Sequence, residues 1–358
     1  MDAYPKGPDR RVASNILLTI IAVVLVGFVL RLASTVIILL LVAGFLAYLM
    51  DPLVTLLRRL RIPLFAAVAI AAVLFFCAFL IFGWIQYQSA LDFAKAFPRY
   101  QHGLLDMFRN LLLRLQNAAN TLIGLEPLDE LRKLPVSSIL ISALRSLATG
   151  LLDFAIVFVF ALLFLAGKHV LARKILRSFP HREAKKITLV LLRIDEDLRK
   201  YVGVKSLASL LEGVGTGVTL ALFRVEFAVV LGFLAFILRF IPYAGSIISM
   251  LLPFLIAIVQ FGSLARPLWV LGVLVVIDQL VAYVFEPKAL GMRLNISVPI
   301  IFLSILIWGW LWGAPGVLLA VPLTTTLKII MEDIPGLRHF ALLLEKPPLR
   351  RKPPEKAV

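Results

Sequence analysis

Apolar runs of membrane-crossing length recur about eight times along this chain, and that recurrence leaves few folds open to it. They fall near residues 13–30, 34–56, 64–87, 149–167, 204–222, 227–241, 246–261 and 267–285, and a longer apolar tract covers 297–331. A helix needs ~20 residues to cross the hydrocarbon. Lipid offers no partner to a free backbone N–H or C=O, so each run is expected to satisfy its hydrogen bonds internally as a helix. Composition agrees: 61% of the residues are hydrophobic, against roughly 45–50% in soluble domains. The expected fold is an all-α polytopic membrane protein with about eight transmembrane helices, Pro/Gly-broken segments and an amphipathic helical insert.

The formal charge of +16 does not point to nucleic acid. Basic residues gather between the apolar runs, where they set orientation. Lys6, Arg10 and Arg11 precede the first run, and Arg58, Arg59 and Arg61 follow the second. Lys168, Arg173, Lys174, Arg177, Arg182, Lys185 and Lys186 follow the fourth, and Arg338, Lys346, Arg350, Arg351 and Lys352 fill the tail. All four groups share one side if each run crosses once and 297–331 returns to the side it left. That side is expected to be the cytoplasm, with both termini there. The first run is read as a retained span, because a second follows at once without a small-residue cleavage site. The single cysteine, Cys77, is expected as a small buried residue, and it excludes a disulfide within one chain. His102, His169, His181 and His339 are scattered without ligand spacing, so no metal and no cofactor is expected.

Two apolar stretches carry internal breaks. Phe227 to Ile258 would make one very long helix but for Ile241-Pro242-Tyr243-Ala244-Gly245. Proline has no N–H to donate and glycine loosens the backbone. In lipid such a break is tolerated only where the freed groups face protein or water. The 297–331 tract is too long for one span, and Trp312-Gly313-Ala314-Pro315-Gly316 divides it into halves suited to a re-entrant hairpin. Paired interrupted helices are a sequence pointer to transporter binding sites. Pro242, Gly245, Gly313, Pro315 and Gly316 are therefore candidate break or gate residues.

Residues 88–148 differ in character. Phe93, Phe97, Tyr100, Leu104, Phe108, Leu111, Leu115, Ala118 and Leu122 recur every three or four positions, the mark of an amphipathic helix ending at Gly124-Leu125-Glu126-Pro127. A second helix is expected from Ser137 or Ser138. Two readings stay open: a helical subdomain on the outer face, or a subunit-contact or gating element. Ile187, Leu191, Ile194, Leu198 and Tyr201 mark an interfacial helix leading into the fifth run. The chain thus divides into a three-span segment (1–87), an extramembrane insert (88–148), a membrane core (149–335) with a cytoplasmic elbow at 168–203, and a basic tail (336–358).

Within the fifth run Ser206, Ser209, Glu212, Thr216 and Thr219 share one helical face, beside Gly213-Val214-Gly215-Thr216-Gly217. The face either packs helices or walls a polar pathway. Glu212 favours a pathway, since a carboxylate at mid-membrane is costly without a partner or water. Asp278 is the second intramembrane carboxylate, and Arg239, just before the Pro242 break, is a candidate partner for either. Glu286-Pro287-Lys288 opens the following loop, as an anchored turn or as a cytoplasmic gate. No nucleophile constellation, phosphate loop or metal signature occurs, so no enzymatic activity is expected.

Several segments resemble the signatures of the autoinducer-2 exporter family of bacterial inner-membrane permeases. They are Tyr201-Val202-Gly203-Val204-Lys205, Pro242-Tyr243-Ala244-Gly245, Glu286-Pro287-Lys288 with Gly291, and Trp312-Gly313-Ala314-Pro315-Gly316-Val317-Leu318-Leu319-Ala320-Val321-Pro322. Two departures stand out: Ser297-Val298-Pro299 replaces a His-containing opening, and Glu212 is foreign to the family pattern. The resemblance implies a permease in the bacterial inner membrane that exports a small polar solute such as autoinducer-2. Some members are linked instead to sodium or lithium exchange for protons, which makes Na+ or H+ a further expected partner. It also implies a homo-oligomer, with a pentamer favoured. A non-transporting oligomeric scaffold is the remaining alternative, disfavoured by the intramembrane charges.

Overall fold

The computed structural model describes residues 10–119, 142, 151–178, 180–290, 296–334 and 336–345. The expected helix stop at 124–127, the helix start near Ser137 or Ser138, Gly291, and residues 346–358 of the basic tail lie outside them. Among the described residues the regular elements are helical, with no strand. In chain order they are α1 (Arg10–Leu32), α2 (Ser34–Arg59), α3 (Leu64–Ala119), α4 (Leu151–Ser178), α5 (His181–Leu222), α6 (Ala228–Leu238), α7 (Ala244–Phe261) and α8 (Ala265–Gln279). A π-helical turn (Leu280–Phe285) then leads into α9 (Glu286–Leu290), followed by α10 (Val298–Asp333) and α11 (Arg338–Leu343). Among the described residues, five helices are long and apolar enough to cross a membrane: Ser34–Arg59, Leu64–Met107, Ala244–Phe261, Ala265–Leu290 and Val298–Asp333. Asp153–Gly167 and Ala228–Leu238 are shorter apolar helices. Large apolar side chains such as Phe65, Leu163, Val214 and Trp269 lie exposed on these helices. In water such surfaces would drive association, whereas lipid satisfies them.

The chain forms two compact units, Leu46–Leu294 and Met1–Phe45 with Asn295–Val358. In the first, α5 and α6 approach closely over glycines. A Cβ on Gly232 would lie 2.7 Å from the Gly213 carbonyl oxygen and 3.0 Å from Gly217 Cα. The small-xxx-small spacing of Gly213 and Gly217 is thus a packing surface for Gly232. We expect Gly232→Ala to lower stability by ~1–3 kcal/mol through overpacking, read as a drop in unfolding temperature in detergent. Phe93, Tyr100, Leu220, Leu231, Ile256, Val270 and Leu274 build the core around which α3, α5, α6, α7 and α8 gather.

Four features sharpen or correct the sequence reading. First, α3 runs unbroken through 87–88, so the third span and the start of the insert are one helix. Nothing in Gln86–Ala90 disfavours a helix. The rings of Phe93 and Tyr100 pack edge-on against Phe227, 5.1 and 5.9 Å between centroids. Second, the elbow and the fifth run form the single 42-residue helix α5, which passes through Gly203 without a break. Third, α1 and α2 meet at Ala33 alone, and i→i−4 bonds flank the joint, from Ala33 N–H to Val29 O (2.9 Å) and Ile37 N–H to Ala33 O (3.0 Å). Helix–helix connections that reverse the chain usually take 2–8 residues, so two opposed crossings have no loop here. Fourth, Cys77 is exposed on α3 rather than buried, because it falls on the outward side of the apolar helix.

In the other unit, α10 folds back on itself. Trp308 Nε1 donates to Thr324 Oγ1 at 3.1 Å. Sixteen residues of straight helix would hold these groups ~24 Å apart. The reversal sits at Gly313, with φ 64° and ψ −142°, a region open in practice only to glycine. The expected hairpin is therefore present. Its first arm, about 15 residues, measures ~22 Å, short of the ~30 Å hydrocarbon. Trp312 Nε1 bonds Leu30 O at 3.1 Å, and Lys328 pairs with Glu332 and Glu345 at 3.0 and 2.9 Å.

Candidate functional site

The first break shapes the site. α6 ends at Leu238 and α7 begins at Ala244. Between them Ala244 N–H bonds Pro242 O at 2.7 Å across Tyr243, whose φ is 62° and ψ −57°. This is a γ-turn with its centre in a rare, strained region. Gly245 then passes so near the end of α6 that a Cβ there would sit 1.8 Å from Leu238 O. Proline removes the donor that would continue α6, and only glycine allows α7 to leave at this angle. Both residues are required by the reversal itself.

Arg239 caps the C-terminus of α6, where the helix dipole favours a cation. It is 4% exposed and is held from four directions. Its Nη1 donates to Ser246 Oγ at 3.1 Å and to Asp278 Oδ1, and its Nε donates to Glu286 Oε1 at 3.2 Å. Glu212 Oε2 pairs with Nη1 at 3.7 Å, too far for a hydrogen bond. Lys205 Nζ also donates to Glu286 Oε1, at 3.1 Å. Five helical segments thus converge on one guanidinium: α5, α6, α7, α8 and α9.

The sequence face on α5 resolves into two parts. Thr219 Oγ1 bonds Gly215 O at 2.7 Å, so that hydroxyl is already occupied by its own helix. Ser206 Oγ, Ser209 Oγ and Glu212 Oε2 are buried without a hydrogen-bond partner. Thr216 is buried on the same face. Buried polar atoms lacking a protein partner mark places for water or a polar solute. The cluster therefore combines three carboxylates with two cations, and bare hydroxyls stand next to it along α5.

Asp278, Glu212, Arg239 and Glu286 were all visible in the sequence, and the structure brings them together. Lys205 and Ser246 were missed as members. Lys205 lies seven residues before Glu212, about two turns, and so shares its face; that spacing was the available signal. Ser246 carried no signal beyond its place after the break. Pro287 follows Glu286 in α9 and makes no polar contact with the cluster, while Gly313, Pro315 and Gly316 belong to the α10 hairpin. There a Cβ on Gly316 would sit 1.9 Å from Trp308 O. Each hairpin is thus closed by a glycine pressed against a carbonyl seven or eight residues earlier.

A buried ionic cluster at a broken helix, among helices apolar enough to cross a bilayer, defines a multi-pass membrane transport protein. Comparison with known proteins agrees. The chain belongs to the AI-2E transporter family, whose model matches residues 18–336. It is 30% identical over 335 residues to a Haemophilus influenzae protein named for transport without a stated solute, across 92% of this chain and 95% of the relative. It is also 28% identical over 333 residues to the AI-2 transport protein TqsA of Escherichia coli K12, across 92% of this chain and 94% of that one.

Proposed function

We propose that this protein exports a small, polar, hydroxyl-bearing solute of the autoinducer-2 type across the bacterial inner membrane. The observation that carries the reading is the row of buried oxygens without a hydrogen-bond partner, Ser206 Oγ, Ser209 Oγ and Glu212 Oε2, which runs along α5 into the Arg239 cluster. A hydroxyl-rich solute both donates and accepts hydrogen bonds, so it satisfies serine hydroxyls and a carboxylate together. The name of the TqsA relative supports the same solute class. A homo-oligomer remains our expectation for the assembly.

Flux from liposomes loaded with autoinducer-2, with and without a sodium or proton gradient, tests the proposal directly. Ser209→Ala is expected to leave thermal stability unchanged or slightly raised, because it deletes a buried hydroxyl that bonds nothing. The same change is expected to lower flux several-fold. Thr216→Val is expected to lower export at normal expression. Unaltered flux in both variants would remove α5 from the pathway.

One observation favours a second reading, cation/proton antiport. Three carboxylates face two cations, so one negative charge is in excess when all are ionised. Antiport predicts that Glu212→Gln with Asp278→Asn abolishes sodium-driven proton movement in vesicles, and intact exchange in that double variant rejects it.

A further inference from the structure

Asp278 and Glu286 both hold Arg239, yet they stand eight residues apart on one continuous helical segment. In a regular α-helix eight residues advance ~2.2 turns, which sets the two side chains about 80° apart around the axis. Between them lies the π-helical turn Leu280–Phe285, with Glu286 N–H bonded to Val281 O, five residues back. A turn closed by i→i+5 bonds holds one residue more than an α-turn. The eight residues then do the angular work of about seven, which is close to two whole turns. Asp278 and Glu286 come onto one face. Helical side chains lean toward the N-terminus, so the longer Glu286 reaches back toward Asp278 and the guanidinium.

The cause of the wide turn is legible in the next residue. Pro287 has no N–H, and in an α-helix its ring would collide with the carbonyl four residues earlier, that of Tyr283. Opening the preceding turn to a π-turn relieves the collision. We infer that Pro287 is a positioning residue: it forces the π-turn that swings Glu286 onto the face of Asp278, and so lets one carboxylate hold both Arg239 and Lys205. Without it the helix regularises, and Glu286 turns about 100° away from both cations. The role lies in register and does not depend on which solute is carried.

A double-mutant cycle on the purified full-length protein in detergent tests this, with unfolding temperature as the readout. Lys205→Gln and Glu286→Gln are expected to be non-additive in the native background, since the two groups touch at 3.1 Å. With Pro287→Ala added, the two changes are expected to become additive. Deleting Tyr283, whose side chain is 70% exposed, in the Pro287→Ala background removes the surplus residue and is expected to restore the non-additivity in an all-α segment. Coupling that survives Pro287→Ala overturns the inference. So does coupling that is lost and not restored by the deletion, because proline would then matter only for general stability. Should Pro287→Ala fail to fold, Phe285→Glu with Glu286→Gln decides the matter while Pro287 is kept. The π-turn then holds position 285 off the Asp278 face, so absence of coupling between Glu at 285 and Lys205 supports the inference, and strong coupling overturns it.

Discussion

Arg239→Gln is expected to abolish flux and to reduce sharply the yield of folded protein. The guanidinium is 4% exposed and joins Ser246, Asp278, Glu286 and Glu212. Removing it leaves three carboxylates with Lys205 as the one cation the cluster retains. Deleting one partner of a buried ion pair costs ~3–5 kcal/mol, because the other charge stays desolvated and unpaired. A domain of ordinary stability holds only ~5–15 kcal/mol in total. Arg239→Lys should fall between the two proteins. An ammonium carries the charge but lacks the planar fork that reaches Asp278 and Glu286 from different nitrogens. Adding Asp278→Asn to Arg239→Gln removes one stranded charge and should recover part of the lost unfolding temperature. Additive loss in that pair would mean that the charges act independently, contrary to the geometry.

The second large effect is expected at the reversals. Gly245→Ala and Gly316→Ala each place a methyl 1.8 and 1.9 Å from a backbone oxygen, of Leu238 and Trp308 respectively. Overpacking that small shifts can relieve costs ~1–3 kcal/mol. Here the obstacle is the carbonyl of the opposing arm, and relief requires the hairpin to open. We expect little monodisperse protein from either variant on size-exclusion chromatography. Gly44→Ala is the control, because a Cβ at that helical position meets nothing within 4 Å. It should be neutral or stabilising by up to ~1 kcal/mol, from helix propensity alone.

Helical class, bilayer residence and the positions of both breaks were legible in the sequence because each has a local cause. Apolar length decides the solvent of a helix, and a proline or glycine acts on its own turn. The charged residues were legible too, since a carboxylate or guanidinium in an apolar run stands out. Their pairing was not. Arg239 lies 27 residues from Glu212, 39 from Asp278 and 47 from Glu286, and no local pattern ranks three carboxylates at such separations. Lys205 was noted only within a signature segment and not as a member of the cluster, because it sits at the border between a basic elbow and an apolar run, where a cation is unremarkable.

Continuity was also misjudged, at Ala33 and at 87–88. A fall in hydropathy ends a run of apolar residues, but it does not end a helix unless a residue there refuses helical geometry. The amino-acid sequence by itself determined that this chain is helical, lives in lipid, turns back at Pro242–Gly245 and at Gly313, and keeps charge inside. Tertiary structure alone decided which charges meet, which hydroxyls stay bare and which helical runs are one. Those outcomes depend on distances between segments far apart in the chain, and on a one-residue change of helical register between Asp278 and Glu286 that composition and hydropathy do not register.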